Sequence, residues 1–274
     1  MRNLANDSIR FLWHQLLKDT LWKMPRTNDW KITMIEKCRD YYRGNTHELK
    51  HIDEFETQYQ SLDAVRWYTK DMFVYKLINQ ALRTEDIDAL YILRYYIEDL
   101  CLGLKNKYKE FKELQIQLEM PSVTLYRGLR LDRNQLLKLK VNEGNLMSTN
   151  GFLSVTRSLD VAKFYAGRDA CYQSTTDMTE PVLFIINIDV NENKIIVADI
   201  AAESMMPDEL EVLFDLGSIF EINSITEDDV QRPSKWTIVM TASNDGDKIL
   251  NDYILFKRGD MEEFDINILF GEFL

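Results

Sequence analysis

VLFIINID at residues 182–189 decides how the second half of this chain folds. The run is apolar, rich in Ile, Val and Phe, and too short for an ordinary globular helix, so it reads as a strand. Four more runs follow at close intervals: KIIVA (194–198), EVLF (211–214), SIFEI (218–222) and WTIVMTA (236–242). Upstream lie VTLYR (123–127) and FLSVT (152–156). Most gaps are too short for strand–helix–strand crossovers, so the strands are expected to pair mainly antiparallel. Two short helices are expected among them. One follows Asp132; the other follows Ser158 and carries Val161, Ala162 and Phe164. No GxGxxG fingerprint or phosphate loop occurs, so a dinucleotide bound here would not occupy a Rossmann site.

Before Pro121 the pattern is different. Glycine is scarce and apolar residues recur at helical spacing. Ala64, Tyr68, Met72, Tyr75, Ile78 and Leu82 form one stripe, with Ser61 placed to cap its helix and Asp63 in the first turn. Leu90, Leu93, Ile97 and Leu100 form the next, with Thr84 as its expected cap. Stripes of this kind read first as helix-packing core. The expected division is a helical region over 1–118, a strand-rich core over 119–250, and a helical tail over 251–274 that begins a further module.

Charge and cysteine usage narrow the function classes. Asp and Glu number 45 against 33 Lys and Arg, a formal net charge of -12, and no long basic run is present. That argues against nucleic acid as a partner. Cys38, Cys101 and Cys171 are an odd, widely spaced set, which fits a reducing compartment better than a disulfide framework. The opening MRNLANDSIRFLWHQLLKDTLW lacks a signal-type apolar core. No run approaches the ~18 apolar residues of a membrane span. A cytoplasmic protein without a membrane partner is therefore expected.

Three features occur in order on the strand-rich half. Arg127 ends a predicted strand and is followed by Gly128; Ser154 and Thr156 sit within another; Glu209 and Glu211 open a third. Residues i and i+2 of a strand face the same side, ~6.5–7 Å apart. Glu209 and Glu211 would then present two carboxylates to one site, a pair suited to glycosidic cleavage through an oxocarbenium-like state. Like charges side by side also raise one pKa, which helps a base work near neutrality. Arg127 offers a planar cationic fork suited to pyrophosphate, and Gly128 a close backbone approach for a ligand. Ser154 can hydrogen-bond a carboxylate or a ribose hydroxyl. Each has an ordinary reading as well: a solvated strand edge, a surface ion pair, a polar residue on a wet face. Glu54-Phe55-Glu56 repeats the glutamate spacing with no chemistry implied.

Taken together, the three resemble the R-S-E class of ADP-ribosyltransferases, over about residues 60–242. That class carries an arginine on its first core strand, a Ser-Thr-Ser strand motif and a Glu-x-Glu motif behind a mobile loop. FLSVTRSLDVAKFYAG and ESMMPDELEVLFDLGSIFEI look like its serine and glutamate segments, and AVRWYTKDMFVYKLINQALR resembles the helices before its core. The resemblance implies an α+β fold, with the N-terminal helical region packed on two small, mainly antiparallel sheets around a cleft. It implies NAD as a substrate, no metal, and an acceptor protein bearing an exposed arginine. Arg127 would hold the phosphates and the nicotinamide-ribose side, and Gly128 would offer backbone contacts to nicotinamide. Ser154 would position Glu211, and Ser154 and Thr156 would also contact the cofactor. Glu211 would bind the nicotinamide ribose and stabilise the oxocarbenium ion, and Glu209 would orient and deprotonate the acceptor. Two departures stand out. Val155 replaces the middle hydroxyl, a change expected to weaken cofactor binding. Met205 and Met206 stand where many members place an aromatic for acceptor recognition.

Three rivals accompany this reading: an NAD glycohydrolase using water at the same site, a catalytically weak interaction module, and a zinc hydrolase. The last rests on His47-Glu48-Leu49-Lys50-His51, a match to H-E-x-x-H. Gly44-Asn45 breaks the chain just before it, and no glycine and third histidine follow at metzincin spacing. An exposed, charged helix is the expected structure there.

Overall fold

In the computed structural model, residues 2–3, 8–27, 29–167, 179–228, 235–246 and 248–249 are described. The predicted tail 251–274 and Cys171 lie outside them. A short strand β1 (Arg2–Asn3) precedes six helices. These are α1 (Ser8–Lys23), α2 (Asp29–Tyr41), α3 (Thr46–Gln58), α4 (Ala64–Thr69), α5 (Phe73–Thr84) and α6 (Ile87–Gln117). No helix among the described residues is long and apolar enough to cross a membrane.

The stripe from Ala64 to Leu82 belongs to two helices, not one. Lys70 and Met72 are extended and separate α4 from α5. Ser61 begins a one-turn 3-10 segment, and the N-cap position of α4 is Asp63, without a side-chain capping bond. Thr84 is the last residue of α5, and its hydroxyl bonds the Gln80 carbonyl at 2.9 Å. The cap of α6 is Asp86, whose carboxylate accepts from the Ala89 N–H at 3.0 Å. A hydroxyl inside a helix turns back to the preceding turn, so Thr84 cannot also serve the next helix. Leu90, Leu93, Ile97 and Leu100 are buried as expected. Tyr75 is not core: it is 39% exposed. The break at 70–72 resets the helical phase, which periodicity alone cannot register.

The remaining elements are β2 (Ser122–Asp132), α7 (Arg133–Lys140), β3 (Leu146–Ser148), β4 (Leu153–Thr156) and α8 (Leu159–Ala166), then β5 (Thr179–Asp189), β6 (Val197–Asp199), β7 (Glu211–Phe214), β8 (Ile219–Asp228) and β9 (Lys235–Ala242). Asp132 and Ser158 cap the two short helices, accepting from Asn134 and Val161 N–H groups. The strand order is β1-β3-β8-β9-β5-β2-β4-β7-β6. Pairing is antiparallel except between β5 and β9. β2 meets β4 through the single pair Tyr126↔Thr156, so β4-β7-β6 forms a group joined to the rest at one point. The two sheets expected from the sequence are thus bridged into one.

Alternation along β7 shows how the layers stack. Leu213 packs with the helices, beside Phe152, Ala198 and Ile200. Val212 and Phe214 face the other way, into a core shared with Leu125, Phe184, Ile186 and Met240 of the larger group. The short group is therefore covered on both faces, which suits its apolar composition.

Candidate active site

The cleft opens where β2 and β4 diverge after their single pair. It holds about 210 Å³ and is lined by residues from β2, β4, α8, the turn before β7, and α5. Arg127, Gly128, Ser154, Thr156, Glu209 and Glu211 all reach it.

Arg127 lies in the middle of β2, not at its end, because β2 runs on to Asp132 against β5. Its guanidinium donates to the Ser154 carbonyl. It has no salt bridge among the described residues. Burial pulls its pKa down, while Tyr75, Tyr68 and Glu211 oppose this. A desolvated cation without an ion pair is a place for an anionic group to bind.

Ser154 Oγ donates to Glu211 Oε1 at 2.6 Å. Burial pushes the Glu211 carboxyl above its ordinary range, and the Glu209 charge adds to the effect. The hydrogen bond from Ser154, the charge of Arg127 and the nearby Ser204 pull the other way. Val155, between the two cleft hydroxyls, packs into the sheet core with Leu153. Val155 is also among the residues that line the cleft, between the hydroxyls of Ser154 and Thr156.

Glu209 and Glu211 reach one cleft by a different route from strand alternation. Glu209 ends a 3-10 turn over Pro207–Glu209, and only Glu211 is in β7. Leu210 between them is left-handed, at φ 49. The turn is held by Thr156, whose Oγ1 donates to the Glu209 carbonyl at 2.6 Å and accepts from the Ser158 N–H at 2.9 Å. A leucine in this region costs energy and persists only where the surroundings impose it.

Gly128 has a structural task. A Cβ there would lie 1.5 Å from the Ala162 carbonyl oxygen. The space that the sequence assigns to a ligand beside Gly128 is, on the Cβ side, filled by α8. The backbone edge of β2 beyond Tyr126 still has no strand partner on the β4 side among the described residues.

Sequence reasoning missed three side chains. Tyr75 lines the cleft from α5. Ser204 lies near enough to the Glu211 carboxyl to draw its pKa down. The Tyr165 hydroxyl, on the last turn of α8, donates to Glu209 Oε1. That bond, with burial, pushes Tyr165 up to about 12. Only Tyr75 lay in a pattern the sequence marks, the helical stripe, and nothing there sets it apart from the buried Tyr68. The loop before the glutamates is tied to the helices, since Thr69 donates to the Glu203 carbonyl at 3.0 Å and Lys107 pairs with Glu203. Met205 and Met206 are exposed on it.

The H-E-x-x-H residues lie on α3, with Asn45 capping the helix as the break at Gly44-Asn45 suggests. Glu48 is buried, contrary to the exposed helix expected. Its oxygens meet Lys76 at 3.0 Å and His51 at 3.2 Å. Burial opposes ionisation, but these two partners bring its pKa below the ordinary value. A carboxylate so engaged ties α3 to α5 and is a poor general base.

The sequence profile of the ADP-ribosyltransferase exoenzyme family matches residues 20–256. The chain belongs to this family, and its activity is that of an ADP-ribosyltransferase with NAD as substrate. No curated protein matches the chain. Among solved structures, the Vis toxin, an ADP-ribosyltransferase from Vibrio splendidus, is 20% identical, with a TM-score of 0.46 over 82% of this chain and 90% of that one. Plx2a, an ADP-ribosyltransferase toxin from Paenibacillus larvae, is 18% identical, with a TM-score of 0.47 over 77% and 96%. The ADP-ribosyltransferase HopU1 of Pseudomonas syringae is 16% identical, with a TM-score of 0.44 over 80% and 98%.

Proposed function

We propose that the chain transfers ADP-ribose from NAD to an arginine side chain of another protein and releases nicotinamide. The observation that carries this is the pair Glu209 and Glu211 in one cleft, the second hydrogen-bonded by Ser154 and close enough to Arg127 to feel its charge. Arg127 binds the phosphates and the nicotinamide-ribose side, and the open edge of β2 at Gly128 receives the nicotinamide amide. The bond between the nicotinamide nitrogen and the ribose anomeric carbon breaks, and its electron pair leaves with nicotinamide. Glu211, ionised, binds the ribose hydroxyl and stabilises the oxocarbenium ion. A nitrogen of the acceptor guanidinium attacks the anomeric carbon and gives its proton to Glu209. A guanidinium has a pKa above ~12, so it needs such a carboxylate before it can act as a nucleophile. The protein's contribution is positioning and fixed charge.

An arginine acceptor follows from a glutamate at position 209 in the R-S-E pattern. Cys38 and Cys101 are free thiols, which suits action in a reducing, cytoplasmic setting. The test is nicotinamide release from NAD with and without a free arginine analogue, in wild type, Glu211→Ala and Glu209→Ala. Glu211→Ala is expected to abolish release. Glu209→Ala is expected to lose transfer while retaining part of the hydrolysis. Wild type that releases nicotinamide equally with and without the analogue, and labels none of it, would make water the acceptor. Wild type that releases none would remove the enzymatic reading.

A further inference from the structure

Thr156 and the 3-10 turn hold the backbone of Glu209, but its carboxylate needs its own restraint to meet an acceptor in one orientation. The only side chain among the described residues that hydrogen-bonds it is Tyr165, through Oε1. No cation pairs with Glu209 among the described residues, so Oε2 is left for an incoming group on a residue that lines the cleft. The Tyr165 side chain is half exposed, but the backbone that carries it is fixed. It sits on the last turn of α8, which is seated on β2 at Gly128, where not even a Cβ fits. From that anchored backbone the Tyr165 hydroxyl reaches one carboxylate oxygen of Glu209.

We infer that Tyr165 is the positioning residue for the acceptor step: its hydroxyl ties Oε1 of Glu209 so that Oε2 meets the acceptor guanidinium in one orientation. This rests on the reading of Glu209 as the acceptor-side carboxylate. An untethered glutamate samples several rotamers and must be ordered each time an acceptor binds. The phenol removes that cost beforehand and leaves one oxygen open for the acceptor proton. Tyr165 touches neither the bond that breaks nor the bond that forms, so its effect falls on acceptor use and passes through Glu209.

The experiment compares wild type, Tyr165→Phe and Tyr165→Ala, using NAD and a free arginine analogue. It reads labelled acceptor and free ADP-ribose in the same reaction, and KM for the acceptor separately from kcat. The expected result for Tyr165→Phe is a fall of about tenfold in the ratio of transfer to hydrolysis, the scale of one charge-assisted hydrogen bond. A raised acceptor KM should account for most of it. A Tyr165→Phe enzyme with the wild-type ratio, beside a crippled Tyr165→Ala, would assign the effect to the ring and overturn the inference. Transfer and hydrolysis falling in parallel in Tyr165→Phe would overturn it too. Both results leave the proposed function standing. Wild type that cleaves NAD but labels no arginine analogue would sink that function's acceptor and this inference together.

Discussion

Glu211 on the floor of the cleft and Glu209 on its rim are separated by one residue, yet their surroundings have little in common. Glu211 opens a strand, takes a hydrogen bond from Ser154, and sits where burial raises its proton affinity. Glu209 ends a turn whose neighbours Met206 and Leu210 are exposed, and it is held by a phenol and a threonine. The floor is desolvated, and on the proposed mechanism its carboxylate faces the single cationic fragment left when neutral nicotinamide departs. The rim is open, as the proposed exchange of a protein acceptor would require. In the proposed roles, low dielectric would strengthen stabilisation of the oxocarbenium ion by Glu211, whereas Glu209 would have to remain reachable for the acceptor.

If this contrast is right, substitutions on the two sides separate the two half-reactions. The largest effect should come from Glu211→Gln, with nicotinamide release reduced about 10²–10³-fold, the scale of losing one preorganised electrostatic contact. Glu209→Gln should reduce transfer far more than release. Equal losses of both activities in the two variants would erase the distinction between floor and rim. Gly128→Ala comes next. Its Cβ meets the Ala162 carbonyl, so β2 and α8 must move apart. Denaturant unfolding should show a loss of roughly 1–3 kcal/mol, with floor and rim activities falling together because both rest on that contact.

Ser154→Ala sharpens the floor itself. Ser154 favours the ionised form of Glu211, so its removal should raise an already raised pKa. Activity needs the carboxylate. The acid limb of kcat/KM for NAD should therefore lie above the ordinary Glu pKa of ~4.3 in wild type and move higher still in Ser154→Ala. A limb that stays put, or moves down, would exclude Glu211 as the group titrating there. The smallest effect concerns stability. A carboxyl whose folded pKa is raised contributes stability below its unfolded pKa and loses it as pH rises through the folded pKa. Ionised Glu211 therefore costs the fold stability at neutral pH. Glu211→Gln should raise Tm by a few degrees, at roughly 2–4 °C per kcal/mol for a chain of this size. The gain should vanish as the pH falls into the ordinary carboxylate range. A Tm unchanged at neutral pH would mean that the floor is less desolvated than its geometry indicates.

Much of the fold was legible because its signals are local. EVLF became β7 over the same four residues, and the strands beginning near Val123, Val182 and Trp236 only lengthened on pairing. Asp132 and Ser158 announced their helices because a capping side chain acts on a backbone two or three residues away. KIIVA shrank to Val197–Asp199, since strand limits depend on where the partner stops. β3 was missed because three residues carry no periodicity. The break between α4 and α5 was missed because Lys70 and Asp71 leave the stripe's spacing intact. Glu209 and Glu211 share a cleft, as their spacing suggested, but a left-handed Leu210 brings them there, and that conformation has no signature at a leucine.

By itself the sequence determined the α+β class, the mainly antiparallel pairing and the ordered set Arg127, Ser154, Glu209 and Glu211. These follow from alternation, from connection length and from the few residue types able to do this chemistry. Only the tertiary structure decided that Val155 packs into the sheet core, that Gly128 serves α8, that Tyr75 joins the site and that Tyr165 holds Glu209. Those outcomes depend on which surfaces meet across tens of residues, and packing and desolvation, unlike spacing, exist only once the surfaces have met.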